Sequence, residues 1–222
     1  MRARRWRGVT RARTVRTTTP DPGHSRAPDL VKRDFTAQRP GQLHVADFTY
    51  VPLDGGGFGY TAFVIDAFAG LIAGWECSLS KQTAFVEKAI RQAAALRPRQ
   101  GHPISGTAIH HSDAGSQAIY LPAINRDPAA GRADRLRRLR QGRLRQRPGA
   151  ALAETTIGLY KTECVRPGSP FRNGPIRTLA DLEEATSAWA AWYNNERLMH
   201  RLGRKPPAEA EAQYWVRHEH VA

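Results

Sequence analysis

Between residues 42 and 77 the chain alternates short apolar runs with glycine turns. Val45, Phe48 and Val51 are strand-forming residues in the run Leu43 to Val51, which reads as a first β-strand. Asp54-Gly55-Gly56-Gly57 is a turn, because its glycines can take positive φ. Gly59 to Asp66 is a second strand, Ala69-Gly70 turns the chain again, and Leu71 to Cys77 is a third. Turns this short predict an antiparallel meander.

The period then changes. Ala84, Phe85, Lys88, Ala89, Ala93 and Leu96 set a mostly apolar stripe at helical spacing, so residues 81–97 read as a helix with Ser80 as its cap. Gly106 to His111 is a short fourth strand. A strand reached through a crossover helix should run parallel to the first. Periodicity lapses over 118–149. From Arg126 to Arg147 there are nine arginines, with Leu136, Leu139 and Leu144 as the only large apolar residues. A basic helix at about 132–147 that contacts nucleic acid is one reading. The other is a segment never selected as protein.

Order returns at Ala150, with a helix over 150–164. Pro167-Gly168-Ser169-Pro170 and Asn173-Gly174-Pro175 form a loop. Thr178 then caps a last helix, with Asp181 reaching back in a variant of the capping box. Leu179, Leu182, Ala185, Trp189, Trp192 and Tyr193 share one face of that helix, a stripe that reads as core. The elements together predict an α/β fold with a mixed sheet. Residues 1–40 read as a basic linker or arm, 41–215 as one core containing the atypical segment 118–150, and 216–222 as a tail.

Charge adds a partner. The 222 residues carry 34 Lys+Arg against 20 Asp+Glu, a net charge of +14. Such a chain attracts polyanions, most simply DNA or RNA. A GC-rich, Arg-favouring genome gives the same excess, and the two readings are compatible. Cys77 and Cys164 lack metal-site spacing, so zinc is not expected and both read as reduced thiols of a cytosolic protein. No apolar run is long enough to span a bilayer. Seven arginines in the first sixteen residues read as a DNA-contacting arm rather than a targeting peptide.

Asp47 is the candidate at the centre of the chemistry. An acid inside an apolar-aromatic run costs free energy unless it is paired, hydrogen-bonded or bound to metal. Asp113, after the fourth strand, and Glu154, on the following helix, are two further acids suited to the same metal. Three carboxylates from separate rigid elements suit a pair of Mg²⁺ ions, hard cations that leave positions for water and phosphate. At 100° per residue Lys161 lies about 20° back from Glu154 and Glu163 about 180° away, so Lys161 joins the site as a phosphate contact and Glu163 does not. On spacing alone, an ordinary solvated helix face explains Glu154 and Lys161 as well. Asp66 ranks below Asp47, as a turn or cap acid. His110 and His111 have no third histidine at ligand spacing. No nucleophile elbow surrounds Ser112 or Ser116.

Val45 to Tyr50, His110 to Gln117, and Ala151-Leu152-Ala153-Glu154 with Gly158 to Glu163 together resemble bacterial insertion-sequence transposases with a retroviral-integrase-like core. Tyr193-Asn194-Asn195-Glu196-Arg197 and Pro206-Pro207-Ala208-Glu209 look like that family's C-terminal segment. The resemblance covers about 30–117 and 150–215. It implies an RNase H-like fold, a DDE triad on Asp47, Asp113 and Glu154, two Mg²⁺ or Mn²⁺ ions, and DNA cleavage with strand transfer. It also implies DNA as partner, a homo-oligomer on DNA, and a cytoplasmic protein associated with the nucleoid when bound. A helix-turn-helix module, which is not visible in residues 1–40, would lie on a separate chain. Arg137, Arg138 and Arg140 would add sequence-independent DNA affinity.

The middle departs from the family. About thirty-five residues separate the family's second Asp from its Glu, whereas 40 residues, 114–153, do so here. The family's fifth strand and the Asp-Asn before Ala-Leu-Ala-Glu are missing, and Ala114 stands where an Arg is usual. Matched flanks around an unmatched middle suggest compensating frameshifts across roughly 118–150. Two alternatives to an active transposase therefore stay open: an inactive remnant that only binds DNA non-specifically, and an RNase H-like nuclease without strand transfer.

Overall fold

The computed structural model describes residues 36–82, 84–102, 109–112 and 148–219. Among the described residues four strands form one sheet: β1 (Leu43–Pro52), β2 (Phe58–Asp66), β3 (Ile72–Ser78) and β4 (Ile109–Ser112). Their order is β3-β2-β1-β4. β1 pairs antiparallel with β2, and β2 with β3, while β4 runs parallel to β1 from Leu43↔Ile109 to Ala46↔Ser112. The meander and the parallel fourth strand are those expected from the turns and the crossover.

The strands alternate between two cores. Leu43, Val45 and Val51 of β1 face a layer built from α2 (Pro148–Leu159), a π-helical turn (Tyr160–Val165) and α3 (Leu179–Asn195). Ala46 and, less deeply, Phe48 face α1 (Ala84–Arg99), whose Phe85, Val86, Ala89, Ile90 and Ala93 are buried. Period-two side-chain alternation produces this division. α1 lies close to β3 because Gly74 has no side chain: a Cβ there would meet the backbone of Ala89 and Ala93, the latter 2.9 Å from its nitrogen.

The helix starts only partly follow the sequence signals. Thr178 caps α3 as expected: its hydroxyl accepts from the Asp181 amide at 3.2 Å, and the Asp181 carboxylate accepts from the Thr178 amide at 2.8 Å. Ser80 does not cap α1. The helix begins at Ala84, and the Ser80 hydroxyl instead accepts from the Gln82 amide inside the preceding bend. A final helix, α4 (Pro207–Glu219), comes after a 3-10 turn (His200–Leu202) and runs into the stretch expected as a tail. Pro207 suits the first helical position, where a missing N–H costs nothing.

The C-terminal motif locks the layers together. Asn194 accepts from the Ile72 amide and donates to the Ile72 carbonyl, both at 2.9 Å. Gln92 of α1 similarly accepts from the Trp75 amide at 3.1 Å. Arg197 binds both carboxylate oxygens of Glu163, with its closest contact at 2.8 Å, and Trp189 Nε1 donates to the same carboxylate.

Candidate active site and DNA-facing surface

Asp47 stands one residue beyond the last β1–β4 pair, Ala46↔Ser112. Period-two alternation gives it the face of Val45 and Val51, the face covered by α2 and the π turn. Its antiparallel partner is Phe63, which is fully buried and packs edge-on against Tyr160, with centroids 4.9 Å apart. The carboxylate is partly buried, and its Oδ1 accepts from the Phe48 amide at 2.8 Å. One acid is thereby held at the rim of an apolar stack, on a strand fixed along both edges at its start. Asp113, Arg137, Arg138 and Arg140 lie outside the described residues.

Glu154 is exposed on α2, next to buried Ala153 and two residues before buried Thr156. Thr156 donates to the Leu152 carbonyl at 2.9 Å and meets the Tyr193 hydroxyl at 3.4 Å. The acidic position is thus carried by a helix whose opposite face is anchored in the core.

The helical arithmetic that links Glu154 with Lys161 holds only as far as Leu159. From Tyr160 the chain winds as a π turn, and the Arg166 amide bonds back to the Lys161 carbonyl at 3.1 Å. A π turn holds more residues than an α turn, so it rotates every later position out of α-helical phase. Its cause is tertiary. Tyr160 and Cys164 are both fully buried; the Tyr160 hydroxyl bonds Thr186 at 2.7 Å and Thr61 at 3.2 Å, and Cys164 Sγ reaches the Ala185 carbonyl at 3.3 Å. Lys161 points outward, and its Nζ lies 4.9 Å from the centre of the Tyr50 ring at the far end of β1. Glu163 is held by Arg197 and Trp189.

Asp66 is fully buried in an ion cluster away from Asp47. Its Oδ2 accepts from Arg97 Nη2 and the Gly41 amide, each at 2.6 Å, and lies 3.6 Å from His44 Nε2. Burial alone would raise its pKa, but His44, Arg97 and the Gly41 amide together hold it below the ordinary value of 3.8. Asp66 also accepts from the Phe68 amide at 3.0 Å, the turn role expected for it. The rest of the cluster, Arg97 with Glu211, had no signal in the sequence pattern.

Residues 37–126 match the integrase core domain family. A putative transposase for insertion sequence element IS986/IS6110 of Mycobacterium tuberculosis is 40% identical over 215 residues, which span 97% of this chain and 73% of that relative. The chain belongs to the insertion-sequence transposases with an integrase core. A transposase for insertion sequence element IS629 of Shigella sonnei is 44% identical over 210 residues, 94% of this chain and 64% of that protein. A transposase for insertion sequence element IS3411 of Escherichia coli is 51% identical over 90 residues, 40% of this chain and 37% of that protein. As in this family, the fold is RNase H-like: antiparallel first strands, a parallel fourth and helices on both faces. No described helix is long and apolar enough to cross a membrane.

The carboxylates also suit the divalent ion on which integrase cores generally depend. Asp47 and Glu154 offer hard oxygen donors from a strand and a helix of one layered face, the donor class that Mg²⁺ and Mn²⁺ prefer. Among the described residues no group of three His, Cys, Asp or Glu converges by itself, and Asp113 lies outside that set.

Proposed function

We propose that this transposase chain is a DDE core that cuts DNA at an insertion-element end and joins it to target DNA. Asp47, Asp113 and Glu154 hold two Mg²⁺ or Mn²⁺ ions. The observation that carries this reading is the placement of Asp47 immediately past the β1–β4 pairing, in register with a strand whose next residue is Asp113. When bound, the ions lower the pKa of the attacking oxygen and offset charge on the leaving one. Hydrolysis breaks one P–O3′ bond, water supplying a hydroxyl to phosphorus and a proton to the freed 3′-oxygen. That 3′-OH then attacks a target phosphorus, forming a new P–O3′ bond as the target's own P–O3′ bond breaks, and its proton passes to the displaced 3′-oxygen. Lys161, Arg137, Arg138 and Arg140 bind backbone phosphate. DNA bound by several copies, with a helix-turn-helix module on another chain and residence on the nucleoid, completes the reading.

An inactive remnant is the second reading, favoured by the Arg-rich run where the family pattern lapses. A labelled element-end duplex with Mn²⁺ separates the two. Cleavage by the parent chain, lost in Asp47→Asn and Glu154→Gln, supports the enzyme. Absence of cleavage by the parent supports the remnant, and cleavage without joined products supports a simple nuclease.

A further inference from the structure

Two aromatic rings stand half exposed at the end of the β1–β2 hairpin. Tyr50 is 56% and Phe58 51% exposed, and they meet edge-to-face with centroids 5.4 Å apart. They continue a row of rings on the α1 side of the sheet. Within that row Phe85 covers Phe48 at 5.9 Å and Tyr60 at 6.4 Å. The cover stops there, and the outermost pair is left to solvent.

This end of the hairpin is fixed. The Asp54 amide donates to the Ile176 carbonyl at 2.8 Å, the Ile176 amide donates to Asp54 Oδ2 at 2.7 Å, and Arg172 pairs with the same carboxylate. The rings therefore sit on a rigid support rather than a loose loop. Lys161 brings a cation over Tyr50 from the opposite layer. Tyr50 is three residues beyond Asp47, about 10 Å along the strand, and its side chain leaves the other face of the sheet, so only a strand that rounds the hairpin end meets both.

We propose that Tyr50 and Phe58 form a stacking platform for an unpaired nucleobase of a DNA strand whose backbone passes the end of the β1–β2 hairpin beside Lys161. This rests on the cutting-and-joining reading and adds a binding site to it. Exposed rings stack any base face, and a neighbouring lysine neutralises the attached phosphate, a combination used to hold single strands without sequence readout. The net charge of +14 draws the polyanion to the chain. The occupant is thus a frayed or overhanging DNA end, not a fully paired duplex.

The test compares a blunt duplex with the same duplex carrying a three-nucleotide overhang that contains 2-aminopurine, in a metal-free chelating buffer so that nothing is cut. The parent chain should bind the overhang more tightly and quench the probe. Tyr50→Leu should lose about tenfold of that preference together with the quenching, while Tyr50→Phe, which keeps the ring, should retain both. Phe58→Ala should lose part. Both rings are half exposed, so the variants should keep the parent's thermal midpoint. Equal overhang preference in the parent and Tyr50→Leu overturns the proposal, as does a parent with no preference. Cleavage in Mn²⁺ is scored separately. Cutting that depends on Asp47 but leaves overhang preference untouched by Tyr50→Leu sinks the platform and spares the enzyme. Ring-dependent quenching in a chain that cuts nothing does the reverse.

Discussion

Arg97 and Glu211 form a two-pronged buried ion pair, Nη1 to Oε2 at 2.6 Å and Nη2 to Oε1 at 2.7 Å, with the arginine 1% and the glutamate 3% exposed. The same Nη2 also binds Asp66, so one guanidinium joins the end of β2, the end of α1 and the middle of α4. Removing one member leaves buried charge without its partner. Glu211→Ala should therefore destabilise the fold by about 3–5 kcal/mol, read from urea unfolding. A loss below about 1 kcal/mol would mean that α4 contributes little to the stability of the rest.

The cluster also sets an acid response. Asp66 titrates below its ordinary 3.8, so the stability from its charged form is present above pH 3.8 and is lost as pH falls through the lower folded value. Burial raises Glu211 above its ordinary 4.5 despite Arg97, which has the opposite sign: stability falls as pH rises from 4.5 through the folded value. Unfolding free energy should thus hold or rise as the pH is lowered toward 4.5 and drop below 3.8. A steady decline beginning at pH 6 would contradict the Glu211 assignment, and no drop below pH 3.8 would contradict that of Asp66.

Burial pushes the Cys77 thiol up to about 11 and Cys164 to about 12. Both thiols should stay silent toward a disulfide reagent at pH 8 in the native state and react together once urea unfolds the chain. The linked stability is complete below pH 9 and is lost as pH rises through those folded values. Rapid native-state labelling of either cysteine would show that the core opens there.

Gly74→Ala should destabilise the protein by about 1–3 kcal/mol, because the added methyl meets the backbone of α1 rather than a movable side chain. A shift of the thermal midpoint by several degrees is the readout. An unchanged midpoint would mean that α1 can step away from β3 without cost.

The strands were legible because each carries its own turn. Asp54 to Gly57 and Ala69-Gly70 delimit β1, β2 and β3 to within a residue or two. The Thr178–Asp181 cap was legible for the same local reason. Ser80 misled because a serine before an apolar stripe signals a cap only if the helix starts at once, and here a bend intervenes. The π turn depends on Tyr160 meeting Thr61 and Thr186, residues 99 and 26 positions away, so no periodicity carries it. The Arg97–Glu211 pair spans 114 positions and was equally invisible. Pro206-Pro207 carried the family resemblance without announcing a helix, yet Pro207 opens α4. At the site, Asp47 stood out as an acid among apolar residues, whereas nothing in the pattern marked Tyr50 and Phe58 as a half-exposed pair.

β3 ends the described sheet on one side, and a sheet edge ordinarily invites a further strand. On this edge Asn194 occupies both backbone groups of Ile72, and Gln92 occupies the Trp75 amide. Two side-chain amides stand where a neighbouring strand would bond. A strand added along β3 would have to displace Asn194 from Ile72 and Gln92 from Trp75 before it could bond there, so this edge resists pairing with another sheet.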